Sequence, residues 1–214
     1  MKKEINNKVT FVGTVCSPLQ LSHTVYSEDF YSFLISVERL SGSLDTLPVI
    51  ASKRLLSSVT CGSRVCIEGQ LRSYNMLLEG KNRLVIKIFA RSIEPISGEI
   101  ELCDRNEVLL QGFICKPPIF RTTPFSREIA DVLLAINRSY GKSDYIPCIC
   151  WGRNARFCCD MQVSDFMSVS GRLQSRLYQK RLADGTVEER TAYEVSVNRL
   201  STEPLDAENT YTDG

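Results

Sequence analysis

The chain repeats itself at close to half its length. Asn7, Val9, Gly13, Cys16 and Pro18 recur as Asn106, Val108, Gly112, Cys115 and Pro117, each pair 99 positions apart. The same offset carries Arg39, Gly42, Asp45 and Pro48 onto Arg138, Gly141, Asp144 and Pro147. It grows to 102 where Gly69, Leu71 and Ser73 meet Gly171, Leu173 and Ser175, and to 107 where Arg83 and Val85 to Ile88 meet Arg190 and Ala192 to Val195. Length differences that accumulate late in a unit are what surface loops absorb, so the pattern reads as a duplicated domain of about a hundred residues. The breaker Ser97-Gly98 and the acidic stretch behind it mark the joint. The organisation expected is a first unit over 1–98, a linker over 99–105, a second unit over 106–200 and a short acidic tail over 201–214.

Within each unit the apolar period is two. Val9, Phe11, Gly13 and Val15 alternate with polar or small residues, as do Phe33, Ile35 and Val37, and Met167, Val169, Gly171 and Leu173. About five strands per unit follow. Helix formers gather only between the third and fourth strands, over Ser52 to Thr60 and Gly152 to Met161. The fold class is all-β: two tandem OB-folds, five-stranded Greek-key barrels, each with a short helix between strands 3 and 4.

Composition narrows function by exclusion. With 26 basic against 25 acidic residues there is no polybasic arm, and charge effects must be local. No apolar run approaches the ~20 residues of a membrane span, and no apolar stretch follows Lys2 and Lys3 as in an export signal. A cytoplasmic protein away from membranes is expected. Nine cysteines, an odd number without any Cys-x-x-Cys pair, argue for reduced thiols used as small core residues. Cys148 and Cys150 face inward together, but no histidine is near to complete a metal site. No metal or cofactor is expected. The single histidine, His23, is read as a loop residue, and no phosphate loop, nucleophile elbow or zinc-binding His-Glu-x-x-His occurs, so the chain is not read as an enzyme.

One face of the second unit carries the residues that single-stranded nucleic acid requires: flat rings for bases and cations for phosphates. In its third strand Tyr145, Pro147, Ile149 and Trp151 share one parity while Ile146, Cys148 and Cys150 share the other. In its fourth, Arg172, Gln174, Arg176 and Tyr178 alternate with Gly171, Leu173 and Ser175. Arg138, Tyr140, Lys142 and Arg153 flank these strands, as do Lys180 and Arg181, which are equally explained as a solvated turn beside Asp184-Gly185.

Several ordered pieces of this unit resemble the bacterial single-stranded DNA-binding protein family. They are Asn106 to Gly112, Ala135 to Arg138, Asp144 to Arg153, Gly171 to Arg176 and Thr191 to Val197. In the first unit the likeness is thinner, carried by Asn7 to Gly13 and Gly62 to Ser73. The resemblance implies binding of single-stranded DNA without sequence preference, in replication, recombination or repair, with stacking rings at Tyr145, Trp151 and Tyr178. It also implies four OB-folds per assembly, hence a homodimer of this two-unit chain. Other replication or repair proteins remain open as partners, although the family's acidic tip ending in an aromatic residue has no match in Glu203 to Gly214. The repeat carries Tyr145, Trp151, Tyr140 and Tyr178 onto Thr46, Ser52, Ser41 and Met76. The first unit, which keeps Tyr74, Arg64 and Arg72, is therefore expected to serve assembly and weak backbone contact. The competing readings are an OB-fold protein-interaction module of replication restart or conjugation, with only secondary DNA affinity, and a two-barrel scaffold that binds no nucleic acid.

Overall fold

The computed structural model describes residues 6–78, 80–96, 104–181 and 185–204. Strands β1 (Asn7–Val15), β2 (Gln20–Val25), β3 (Glu28–Glu38), β4 (Leu44–Ser52), β5 (Arg64–Leu78) and β6 (Lys81–Pro95) form the first unit. The second contains β7 (Arg105–Ile114), β8 (Ile119–Thr122), β9 (Glu128–Asn137), β10 (Ser143–Trp151), helix α1 (Arg153–Cys159), β11 (Phe166–Arg181) and β12 (Val187–Ser201). All twelve join in one sheet of order β2-β3-β4-β6-β5-β1-β7-β11-β12-β10-β9-β8, and the additional pairings of β1 with β3 and β7 with β9 close each half into a barrel. The pairs β4–β6 and β10–β12 are parallel and the rest antiparallel. These are two tandem OB-folds.

The repeat pairs found in the sequence are the core. Phe11 and Leu110, Ile35 and Leu134, Leu47 and Ile146, Leu71 and Leu173, and Ile88 and Val195 are all fully buried. Gly69 and Gly171 mark a break in register in β5 and β11. A Cβ on Gly171 would stand 2.1 Å from the backbone oxygen of Ser196, and one on Gly69 2.3 Å from that of Phe89, so only glycine lets the strands approach there.

Three differences from the sequence reading have physical reasons. Each unit has a sixth strand, β2 or β8, whose residues are all exposed, so no alternation betrays it. His23 accordingly lies on a strand. The helical stretch of the first unit is a single 3-10 turn, Lys53–Leu55, capped by Ser52 Oγ, which accepts from Arg54 N at 3.4 Å. Finally, β11 runs through Lys180 and Arg181, opposite Glu188 and Val187, which places both on a strand.

Of the expected linker, 99–103 lie outside the described residues, as do 205–214 of the tail. Asp104 is held to the first unit, accepting from Glu38 N at 2.5 Å and lying 2.7 Å from Arg64 Nη2, while Arg105 already begins β7. Among the described cysteines, all free, Cys148, Cys150 and Cys158 are buried while Cys16, Cys61 and Cys159 are exposed. Burial pushes the Cys148 thiol far above its ordinary value, and hydrogen bonding to Cys158 together with burial does the same for Cys150, which keeps both neutral.

The halves meet through β1 and β7, paired antiparallel from Asn7 opposite Leu110 to Val12 opposite Arg105. Val9 faces Val108, its own repeat partner, so an approximate two-fold axis passes between them. The contacts around this axis are reciprocal. The Asn7 side chain donates to Leu71 O at 2.8 Å and accepts from Leu71 N at 2.9 Å; Asn106 does the same with Leu173 at 2.7 and 2.8 Å. These amides extend the β1–β5 and β7–β11 contacts past the last ladder pairs, Val9 opposite Gly69 and Val108 opposite Gly171.

Further out, each unit inserts a buried aspartate under the fourth long strand of the other. Asp45 Oδ1 accepts from Ser175 N at 2.7 Å and Asp144 Oδ1 from Ser73 N at 2.7 Å. Ser175 Oγ then accepts from Thr46 N and Ser73 Oγ from Tyr145 N, at 3.1 and 2.6 Å. Arg39 covers Asp45 through two hydrogen bonds. Asp144 is covered by Arg72 Nη1 at 2.9 Å, and Arg138 Nε approaches it at 3.2 Å without hydrogen-bond alignment. This seam locks the barrels in one relative position and carries Tyr145 with it.

Candidate nucleic-acid interface

The outer face of the second barrel is built from β10, β12 and β11, side by side. The inward parity read from the sequence holds, with Ile146, Cys148, Cys150 and Leu173 in the core, and it turns Tyr145, Trp151, Arg172, Arg176 and Tyr178 outward; Ile149 and Gln174, which share the outward parity, are themselves buried by their neighbours on this face. Tyr145 is 42% exposed and its backbone is pinned to Ser73 of the first unit. Six residues along an extended strand, roughly 20 Å away, stands Trp151. Its Nε1 donates to Ser196 Oγ at 3.1 Å, fixing the indole edge, and the ring lines an open cavity of about 710 Å³ with Thr122, Arg127 and Arg156. Ser196 in turn stands opposite Arg172 in the β11–β12 ladder. The Arg176 guanidinium sits 5.8 Å from the centre of the Tyr178 ring, an arrangement in which cation and π-face attract.

Not all predicted residues are equally free. Lys142 and Arg153 are exposed, Arg172 is half-buried, and none of the three enters an ion pair among the described residues. Tyr140 is almost fully exposed, at the tip of the β9–β10 turn with a φ of 64°. Arg138 is committed to Asp144 beneath the seam. Arg176 shares its charge with Glu194, whose Oε1 lies 3.5 Å from its Nε and accepts from Gln174 Nε2 at 2.9 Å. Glu194, buried at the centre of this face, was not singled out in the sequence, and neither was Arg121. The latter is raised above its ordinary value by its hydrogen bond to Asp131, countered by burial. The signal was available: Glu194 and Ser196 alternate with the core residues Val195 and Val197.

The larger omission is in the first barrel. Its stacking positions are indeed filled by Thr46, Ser52, Ser41 and Met76, but rings gather at other places. His23 on β2 stacks on Phe30 of β3, centroids 5.0 Å apart and planes within 6°. Phe30 leans on Phe89 of β6 at 5.9 Å, and the Arg91 guanidinium stands 5.0 Å from the Phe89 centroid. Lys87, Phe89 and Arg91 alternate with the buried Ile86, Ile88 and Ala90, a basic and aromatic period-two pattern legible in the sequence.

Comparison with known proteins gives three findings. Residues 105–202 match the model of the single-strand binding protein family. Over 84 residues the chain is 34% identical to single-stranded DNA-binding protein B of Bacillus subtilis (strain 168), a match covering 35% of this chain and 72% of that protein. Single-stranded DNA-binding protein 1 of Staphylococcus aureus (strain COL) is 34% identical over 88 residues, covering 36% of this chain and 50% of that one. In three dimensions the fold resembles that of the wild-type single-stranded DNA binding protein from Thermus aquaticus, with a TM-score of 0.72, 19% identity and 94% of each chain covered.

Proposed function

The chain belongs to the single-strand binding protein family, so single-stranded DNA is its ligand and binding rather than catalysis its activity, and we propose that the strand crosses the outer face of the second barrel. In this reading bases stack on Tyr145, Trp151 and Tyr178 while Arg172, Arg176, Lys142 and Arg153 neutralise phosphates. The observation that carries it is the convergence of rings and cations from β10 and β11 on one outward face. Tyr140 stands at its edge as a further ring, and Arg138 contributes from beneath the seam. Stacking tolerates every base, so sequence preference is weak. This activity suits replication, recombination and repair.

The test is a titration of intrinsic tryptophan fluorescence with oligo-dT at several salt concentrations, since Trp151 is the chain's single tryptophan. Each phosphate neutralised on a single strand contributes ~0.7 to the slope of log affinity against log salt, so four engaged cations give a slope of about −2.8. Quenching that weakens with that steepness is the expected outcome. Binding without quenching removes Trp151 from the path.

Two folds per chain, in a family whose resemblance implies four per assembly, support a homodimer with a single two-fold axis. Sedimentation at micromolar concentration should return twice the chain mass of 24.1 kDa; a monomer there rejects it. Cytoplasmic residence is supported by the free thiols of the described cysteines, and no described helix is long and apolar enough to cross a membrane.

A further inference from the structure

Strand β1 ends against the turn that leads into β5, and the two segments bring a pair of cysteines face to face. Val15 N donates to Ser63 O at 2.9 Å while Val15 O accepts from Gly62 N at 2.8 Å, so two residues on one side oppose one on the other. Gly62 has a φ of 91°, which makes this a β-bulge of the kind that glycine favours. Past the bulge the next facing residues are Cys16 and Cys61, both exposed and both free. We propose that Cys16 and Cys61 are an oxidisable dithiol, in which hydrogen peroxide forms a disulfide that clips the end of β1 to the β4–β5 connection.

The backbone does the positioning. Facing residues of antiparallel strands have Cα atoms roughly 4.5–5.5 Å apart, inside the roughly 4.4–6.8 Å that a disulfide spans. Both sides are held in place. Cys16 N donates to Leu34 O at 2.9 Å. Across from it, Ser63 N closes the turn onto Thr60 O at 3.0 Å and Ser63 Oγ accepts from Thr60 N at 2.9 Å. Val15 is buried, so the next side chain along β1, Cys16, turns outward to where a small oxidant can reach it. The sulfurs also sense each other. Burial raises the Cys16 thiol above its ordinary value, and although the backbone hydrogen bond at Cys16 pulls the other way, the charge of Cys61 adds to the rise.

The repeat supplies a comparison inside the same chain. In the second barrel Ile114 N donates to Asp165 O at 3.0 Å and Ile114 O accepts from Ser164 N at 2.8 Å, with a φ of 78° at Ser164, so the bulge recurs. Cys115 stands there in the place of Cys16, but Val163 stands in the place of Cys61. The fold therefore builds the same junction twice and furnishes it with two thiols once.

The chemistry balances with one peroxide. The Cys61 thiolate attacks a peroxide oxygen, the O–O bond breaks, and the departing hydroxide takes the thiol proton as water, leaving a sulfenic acid. Cys16 then attacks that sulfur; the S–S bond forms, the S–O bond breaks, and a second water leaves with the Cys16 proton. Both sulfurs are oxidised and the peroxide is reduced. In a reducing compartment such a bond is transient and returns to two thiols by exchange. While it lasts it closes the stretch 16–61, which contains β2, β3 and β4, and so restrains the unfolded chain.

The proposal is independent of the strand-binding reading and is tested on the full-length protein treated with hydrogen peroxide. Intact mass should fall by about 2 Da, the two hydrogens lost. After blocking of the remaining thiols, trypsin should release residues 9–39 joined to residues 55–64, the peptides that hold Cys16 and Cys61. Oxidation should raise the urea midpoint by about 1 M, and dithiothreitol should reverse it. Cys61→Ser and Cys16→Ser, both at exposed positions, should each abolish the link and the shift, whereas Cys115→Ser should leave them intact. Separate oxidation of the two cysteines to sulfinic acid without a link would overturn the proposal. So would a link between two copies of the chain, seen as a doubled mass on a non-reducing denaturing gel. A link within one chain that leaves the urea midpoint unchanged would overturn the clip.

Discussion

Alanine at Asp144 should destabilise the protein by about 3–5 kcal/mol, the cost of removing one partner from a buried ionic cluster. Its carboxylate is fully buried and accepts from the Ser73 amide and Arg72, with Arg138 also against it. Asp144→Ala strands both guanidiniums and one backbone N–H together. Asp144→Asn, which keeps an acceptor for Ser73 N but loses the charge, should fall between. Asp45→Ala is a built-in comparison. The repeat partner of Arg72 is Gln174, which is engaged with Glu194, so Asp45 is covered by Arg39 and not by a second guanidinium. Its loss should cost less than that of Asp144. Urea midpoints of the three variants check the order, and a loss below about 1 kcal/mol for Asp144→Ala would mean that the seam does not hold the barrels together.

The second large effect concerns binding. Alanine at Trp151 or at Tyr145 should each weaken oligo-dT binding by ~1–3 kcal/mol, about 5- to 150-fold, with the double variant weaker than either. Anisotropy of a labelled oligonucleotide reads both, since Trp151→Ala has no tryptophan fluorescence left to quench. Trp151 offers an internal control, because Ser196→Ala removes only the hydroxyl that accepts its indole N–H. If orientation of the ring matters, that variant should show a smaller loss in the same direction. Wild-type affinity in both the Trp151 and Tyr145 variants would take the strand off this face.

Much of this arrangement was legible before any coordinates. The duplication, the strand period and the inward parity of Ile146, Cys148, Cys150 and Leu173 follow from the sequence, because in a strand successive side chains point to opposite faces whatever the strand pairs with. That rule is local, and it therefore identified Tyr145, Trp151, Arg172, Arg176 and Tyr178 as outward residues from neighbours only a few positions away. It missed β2 and β8, since an all-exposed strand has no alternation to detect.

What the tertiary structure alone decided is which faces meet. The pairing of β1 with β7, the aspartates reaching from each barrel under the other, and the ring cluster of β2, β3 and β6 join residues separated by tens of positions. His23, Phe30 and Phe89 each read as an isolated ring in the chain, and become one ring cluster only because the order β2-β3-β4-β6 brings their outer faces together. The alternation of side chains is a property of the extended backbone and is written in every short segment. The neighbours of a face are set by strand order and barrel closure, which short segments do not contain.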